Sequence, residues 1–188
     1  MARPKEFNKQ AALEAATDVF RAHGFAGTST EMLTTAMQIG RQSLYDTFGD
    51  KWHLYGAALE QYAQAETRAH MAALRSRDKA IDGIARLLAR VVAEASRPCL
   101  GIGSVSEFGD TKPELAQIRE AAGRPLRDAL VDSVREAQRQ GDIAADLGAR
   151  YAAAFLLAQI AAIRLAARGG ASDAELRAHA KLALKALS

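Results

Sequence analysis

The stretch Thr28 to Lys51, TSTEMLTTAMQIGRQSLYDTFGDK, constrains this chain more than any other, because it reads as two short helices joined by a tight turn, with a third helix starting at once. Thr28 is followed three residues later by Glu31, a spacing in which each side chain can satisfy an amide that the first helical turn leaves unpaired, so a helix is predicted to begin there. Met32, Leu33, Ala36 and Met37 recur at the three- and four-residue spacing of one buried stripe, and the pattern breaks at Gln38 to Gly40. Arg41 to Phe48 then forms a second short helix, with Leu44 and Phe48 inward and Arg41, Gln42, Ser43, Tyr45 and Thr47 outward. Gly49 and Asp50 end it and cap the next helix. Arginine and glutamine can make bidentate contacts to guanine and adenine edges. A donor-rich face on a short helix after a tight turn is therefore what a helix-turn-helix recognition helix requires.

The first 55 or so residues resemble the DNA-binding domain of the TetR/AcrR family of bacterial one-component repressors. The residues that carry the likeness are an alanine-rich first helix ending in Phe20, then His23-Gly24-Phe25, Thr28-Ser29, Ser43-Leu44-Tyr45, Phe48 and Lys51. The resemblance implies that Gln42, Ser43 and Tyr45 face DNA and that Lys51 starts a long helix near the phosphates. The DNA-facing set expected from pattern and resemblance together is Arg3, Lys5, Thr28, Ser29, Arg41, Gln42, Ser43, Tyr45, Thr47 and Lys51. Two positions depart from the family pattern. Gln38 stands where glycine is usual at the turn, which leaves a non-glycine residue to adopt a left-handed conformation. Thr47 stands where histidine is common, which replaces one phosphate contact with a hydroxyl.

At 188 residues and 49% hydrophobic, the chain can bury a core in one or two domains. The amino terminus MARPKEFNKQ lacks the apolar block of a signal peptide, and no run of 18 apolar residues appears, so the cytoplasm is the expected compartment and no membrane partner is expected. A net charge of +3 suits an anionic partner without identifying one. Met1 to Lys51 holds six Lys or Arg against six Asp or Glu. DNA affinity must therefore come from placement: Arg3 and Lys5 on an N-terminal arm, Arg41 on the recognition helix and Lys51 at a helix start.

The rest of the chain reads as helix almost throughout, which makes the expected fold all-α. A three-helix helix-turn-helix domain over residues 1–50 is followed by a helical ligand-binding and dimerisation domain over residues 51–188. The first helix runs from Asn8 to His23 and stops at Gly24. The fourth runs from Lys51 to about Arg75, and Asp78 to Ser96 forms another. A short helix ends at Phe108, and one entered through Pro113 continues to Gln140 with a break or bend near Gly123 to Pro125. Tyr151 to Ala167 is apolar nearly all round, and Glu175 to Leu187 repeats apolar residues at helical spacing. Two such helices could meet a symmetry mate in a four-helix contact or serve as intramolecular core. The family resemblance favours a homodimer through Tyr151, Ala158, Ala162, Leu165, Leu176, Ala180, Leu184 and Leu187.

A cavity for a small, mainly apolar ligand is inferred from architecture. Tyr62, Leu88, Val91, Val92, Phe108, Leu115, Ile118, Leu126, Phe155 and Gln159 are its expected lining, with Glu107 also available for orientation; core packing explains the same residues equally well. Cys99 is the only cysteine, so no intrachain disulfide can form; inert packing and a thiol sensor are its two readings. The histidines His23, His53, His70 and His179 never recur at three- or four-residue separation, and no metal site, cofactor or catalytic constellation is expected. The basic residues Arg68, Arg75, Arg77, Lys79, Arg86 and Arg90 read as solvated helix faces. The expected partners are double-stranded operator DNA, an unidentified ligand and a second copy of the chain. A helical carrier or enzyme without DNA binding is the alternative class.

Overall fold

A computed structural model describes residues 7–188, so Arg3 and Lys5 lie outside the described residues. The described chain is all helix: α1 (Lys9–His23), α2 (Thr30–Met37), α3 (Arg41–Phe48), α4 (Lys51–Leu74), α5 (Ala80–Ala93), α6 (Leu100–Phe108), α7 (Pro113–Arg139), α8 (Ala149–Arg168) and α9 (Asp173–Lys185). It divides into two compact units, one of Met1–Ala63 with Cys99–Glu120 and the other of Gln64–Pro98 with Ala121–Ser188. The unit around the helix-turn-helix thus takes in more chain than residues 1–50: it recruits the start of α4, all of α6 and the start of α7.

In the first unit, Ala12, Ala16 and Phe20 of α1, Leu33 and Met37 of α2, and Leu44 and Phe48 of α3 form one core with Leu54, Tyr55, Ala58 and Leu59 of α4. Leu100 and Leu115 close it from α6 and α7. Ala36, expected in the buried stripe, is exposed; the stripe is carried by Leu33 and Met37, with Met32 half-buried.

In the second unit, α5, α8 and α9 pack against one another around Ile84, Leu87, Leu88, Val91, Leu156, Ile163 and Leu176. Gly83 sits where a Cβ would lie 2.1 Å from the carbonyl oxygen of Leu74, so this approach of α5 to the end of α4 requires glycine. Of the anticipated break or bend in α7, the break is not there. The helix runs uninterrupted through Pro125, and the Thr67 hydroxyl donates to the carbonyl of Ala122 in the turn that the proline deprives of an amide.

Of the proposed cavity lining, Tyr62, Phe108, Leu115 and Ile118 belong to the core of the first unit, whereas Leu88, Val91, Val92, Leu126 and Phe155 belong to that of the second. Apolar spacing along a helix marks burial but does not say in which core. Of the residues proposed for dimerisation, Leu176, Ala180 and Leu187 are buried inside the subunit and Leu184 packs against the same core, because α9 needs its own apolar stripe to dock on α5 and α8. Tyr151, Ala158 and Leu165 do lie outside it, Tyr151 at 84% exposure and Leu165 at 60%, and Ala162 is half-buried. Among the described residues α8 is the one helix long and apolar enough to cross a membrane, yet its inward face packs in this core and carries a buried arginine.

That arginine, Arg164, is 5% exposed and is held by Glu66 of α4 at 2.6 Å. The other oxygen of Glu66 accepts from Arg90 of α5 at 3.1 Å, and Arg90 also pairs with Glu94 at 2.9 Å. Arg90, which the sequence places on a solvated face, is therefore half-buried in an ion-pair cluster. His70 completes the cluster: Arg90 donates to its Nδ1 at 3.0 Å, and since a guanidinium can only donate, that nitrogen must be unprotonated. Burial, followed by the Arg90 charge, pushes His70 down to about 4. Burial would push the Glu66 carboxyl up, but the Arg90 hydrogen bond and the Arg164 charge outweigh it and hold the carboxyl below its usual range.

Candidate nucleic-acid interface

The geometry of the helix-turn-helix is set by its caps. Asn8 accepts from the amide of Ala11 at 3.1 Å and starts α1. Gly24 ends α1 with φ of 69°, and its amide returns to the carbonyl of Phe20 at 2.9 Å. The cap of α2 is Ser29, whose hydroxyl accepts from the amide of Met32 at 3.1 Å. Thr28, expected to fill that role, is 2% exposed and donates its hydroxyl to the carbonyl of Gly24 at 2.6 Å. Either hydroxyl suits a cap chemically; the choice falls on Ser29 because the tight turn after Gly24 draws Thr28 inward. Burial also removes Thr28 from the DNA-facing set, while Ser29 is exposed.

Between α2 and α3, Gln38 takes the left-handed conformation anticipated for it, with φ 55° and ψ 37°, the single non-glycine residue with positive φ among those described. Gly40 then starts α3. Leu44 and Phe48 anchor α3 in the core, and their spacing turns Arg41, Gln42, Tyr45 and Asp46 outward, all exposed; Ser43 and Thr47 are half-buried at the margins. Ser43 also lines an open recess of about 520 Å³ with Ala11, Met37 and Gly40. The Gln42 amide donates to Asp46 Oδ1 at 2.8 Å, one turn along. Sequence reasoning misses this pair, although Gln42 and Asp46 stand at the four-residue spacing that brings side chains together on a helix. It orients the amide and places an acceptor beside it, which suits recognition of the exocyclic amino group of adenine or cytosine.

Behind this face, charged side chains hold the turn between α1 and α2. The Lys51 ammonium donates to the carbonyls of Phe25 at 2.9 Å and Thr28 at 2.7 Å and lies 4.2 Å from the centre of the Phe25 ring. The family resemblance puts Lys51 near phosphate. In the structure its side chain ties down two carbonyls of this tight turn, adding to the bond by which the Thr28 amide donates to the Phe25 carbonyl at 3.3 Å. The Glu107 carboxylate on α6 accepts from the amides of Phe25 at 2.9 Å and Ala26 at 2.7 Å, so it clasps the same turn and is not free to orient a ligand. Phe25 also meets Trp52, Tyr55 and Phe108 edge-on at 5.1 to 5.8 Å between ring centres. Asp50 starts α4 by accepting from the amide of His53 at 2.8 Å, and that bond lowers its carboxyl below the usual value. The result is a short polar helix displayed on a turn fixed from two sides.

Residues 12–58, which carry this motif, match the family of bacterial regulatory proteins called the tetR family. Over 148 residues the chain is 32% identical to the uncharacterized HTH-type transcriptional regulator YezE of Bacillus subtilis, covering 76% of each protein. The HTH-type transcriptional repressor ComR of Escherichia coli is 26% identical over 176 residues, 90% of this chain and 84% of that one. Among solved structures, a cysteine-substituted TetR family transcriptional regulator CifR complexed with 26-base-pair operator DNA is 30% identical, matches with a TM-score of 0.78 and covers the whole of both chains. The chain belongs to the TetR family and is a transcriptional regulator, not an enzyme.

Proposed function

We propose that this regulator is a ligand-responsive repressor acting in the cytoplasm, and that it binds a pseudopalindromic operator as a homodimer. The observation that carries the DNA half is the outward face of α3, where Arg41, Gln42 and Tyr45 stand exposed beside the Gln42–Asp46 pair. Ser29, at the start of α2, and the half-buried Ser43 and Thr47 flank that face and are assigned to backbone contacts. The operator-bound structure of CifR supports the same reading.

The homodimer rests on α8. Tyr151, Ala154, Ala158, Ala161 and Leu165 repeat at alternating three- and four-residue steps on its exposed side, and Leu182 of α9 is 65% exposed. An alanine-rich apolar stripe with that repeat fits a second copy of itself across a two-fold axis, because small residues let helices approach closely. Two recognition helices would then enter successive major-groove half-sites.

Selection of bound sequences from random duplexes tests both halves together. Enrichment of an inverted repeat is expected; no enrichment would remove operator binding, and a single unpaired half-site would remove the dimer. Within the selected site, Gln42→Ala should relax preference at one or two positions per half-site, costing roughly 1–3 kcal/mol for each bidentate pair of hydrogen bonds that the alanine cannot make.

A further inference from the structure

The second unit contains a groove of about 420 Å³ between α5, the end of α8 and α9, a size suited to a small ligand. Alanines make it concave. Ala89 of α5, Ala167 near the end of α8, Ala171 in the loop that follows it and Ala180 of α9 let the walls recede, and Val92 and Leu184 complete the apolar lining. One rim is charged and net positive: Arg177 and Lys181, one turn apart on α9, border the groove together with the carboxylate Asp173. Arg177 reaches Asp173 only at 3.7 Å with both side chains largely in solvent, and among the described residues no carboxylate lies within ion-pair distance of Lys181.

The groove is separate from the face assigned to the second subunit. At about 100° per residue, Leu182 lies across α9 from Leu184, and Leu165 lies across α8 from Ala167. A subunit docked on Tyr151, Ala158 and Leu165 would leave the groove open. An apolar trough whose rim carries two cations against one carboxylate, with Lys181 outside ion-pair distance of it, selects an occupant with a short hydrocarbon body and a single negative end, because the body displaces water from the alanines while the charge stays at the wet rim beside Lys181.

We propose that this groove is an effector site for a small amphipathic carboxylate. Its walls connect to the helix that starts beside the recognition helix. Ala89 and Val92 flank Arg90 on α5, Ala167 is three residues beyond Arg164 on α8, and both arginines hold Glu66 of α4. An occupant that parts α5 from α8 and α9 pulls on the two guanidiniums that position α4. The effector role rests on the repressor reading above; occupancy of the groove does not.

Decanoate is the probe, with decanol and decyltrimethylammonium as controls. Calorimetry on the full chain without DNA should show decanoate binding at least tenfold tighter than decanol and no binding of the ammonium. Ala89→Trp, which fills the trough from an exposed position, and Lys181→Glu, which reverses the rim, should each weaken decanoate at least tenfold, with helix content by circular dichroism reporting that they fold. No decanoate binding, equal affinity for decanol, or decanoate affinity unchanged in both variants overturns the site. On a selected operator, decanoate should lower wild-type DNA affinity at least fivefold, and operator should weaken decanoate by the same factor. Binding without that reciprocal effect overturns the effector role while leaving operator binding intact; failure to select any operator removes the repressor reading while calorimetry still decides the groove.

Discussion

In the unit that carries the helix-turn-helix, Lys51 and Glu107 both grip main chain, donating to the carbonyls of Phe25 and Thr28 or accepting from the amides of Phe25 and Ala26. In the other unit Glu66, Arg90 and Arg164 grip one another, and Glu94 stands 4.0 Å from Arg164 as a second partner. A charge satisfied by backbone fixes one loop shape, since the carbonyls and amides it serves are held in place by the chain itself. Charges satisfied by side chains can exchange partners when helices shift by an ångström. The first arrangement suits a rigid reader of a fixed groove, and the second suits the effector response proposed above, which asks helices to shift.

The largest expected effect breaks the exchangeable cluster. Glu66→Ala leaves Arg90 and Arg164 without their shared carboxylate, and Arg164 is buried, so stability should fall by about 3–5 kcal/mol, seen as a drop of roughly 6–20 °C in melting temperature. Glu66→Gln, which keeps hydrogen-bond acceptance but not charge, should fall less. Equal and small losses in both would mean that the cluster is solvated and that the contrast between the two units is one of geometry alone.

Acid tests the same cluster through a different group. His70 is neutral in the fold and held near 4, against an ordinary value of 6.5. Between those values the unfolded chain binds a proton that the folded chain refuses, so the stability contributed by neutral His70 is present above about pH 6.5 and is lost as the pH falls toward about 4, on the order of 3 kcal/mol in full. Glu66 responds lower: with its carboxyl held below 4.5, its contribution persists through that window and fades only as the pH falls further. Melting temperature should therefore decline from pH 6.5 to 4.5, and His70→Gln should flatten that decline. A decline that survives the substitution would assign the acid sensitivity to another group.

On the reader side, Lys51→Ala separates two roles. If Lys51 holds the turn, the variant loses about 2–3 kcal/mol of stability, as expected for charge-assisted bonds to two carbonyls, and the salt dependence of operator binding by the remaining folded protein keeps its slope. A slope reduced by about one with stability unchanged would give Lys51 a phosphate contact instead.

These contrasts are unevenly legible in the sequence. The bounds of α3, the stop at Gly24 and the conformation of Gln38 follow from local chemistry, in which a cap or a broken apolar stripe acts within one turn of itself. Lys51 and Glu107 escape such reasoning because a charge at a helix start or on a short helix reads as solvent-facing, and nothing local shows that a turn 23 to 82 residues earlier in the chain consumes it. The Glu66–Arg164 pair spans 98 residues and is invisible for the same reason. The apolar residues of α4 to α8 are recognisable as buried, but periodicity assigns a residue to the inside of its own helix and cannot sort Phe108 from Phe155 between two cores.

The smallest effect concerns the one backbone position where local chemistry points to strain. Gln38 holds φ of 55°, where a Cβ crowds the following carbonyl at a cost of roughly 1–2 kcal/mol that glycine avoids. Glycine also gives the unfolded chain more freedom to lose, which offsets part of the gain. Gln38→Gly should therefore raise stability by about 1 kcal/mol and melting temperature by roughly 2–4 °C. Gln38 is exposed, and its side chain makes no hydrogen bond found among the described residues, so no hydrogen bond opposes the change. If the substitution destabilises instead, the glutamine must be fixing the angle between α2 and α3. In that case operator affinity should fall with stability, because Arg41 and Gln42 begin only three residues beyond the turn.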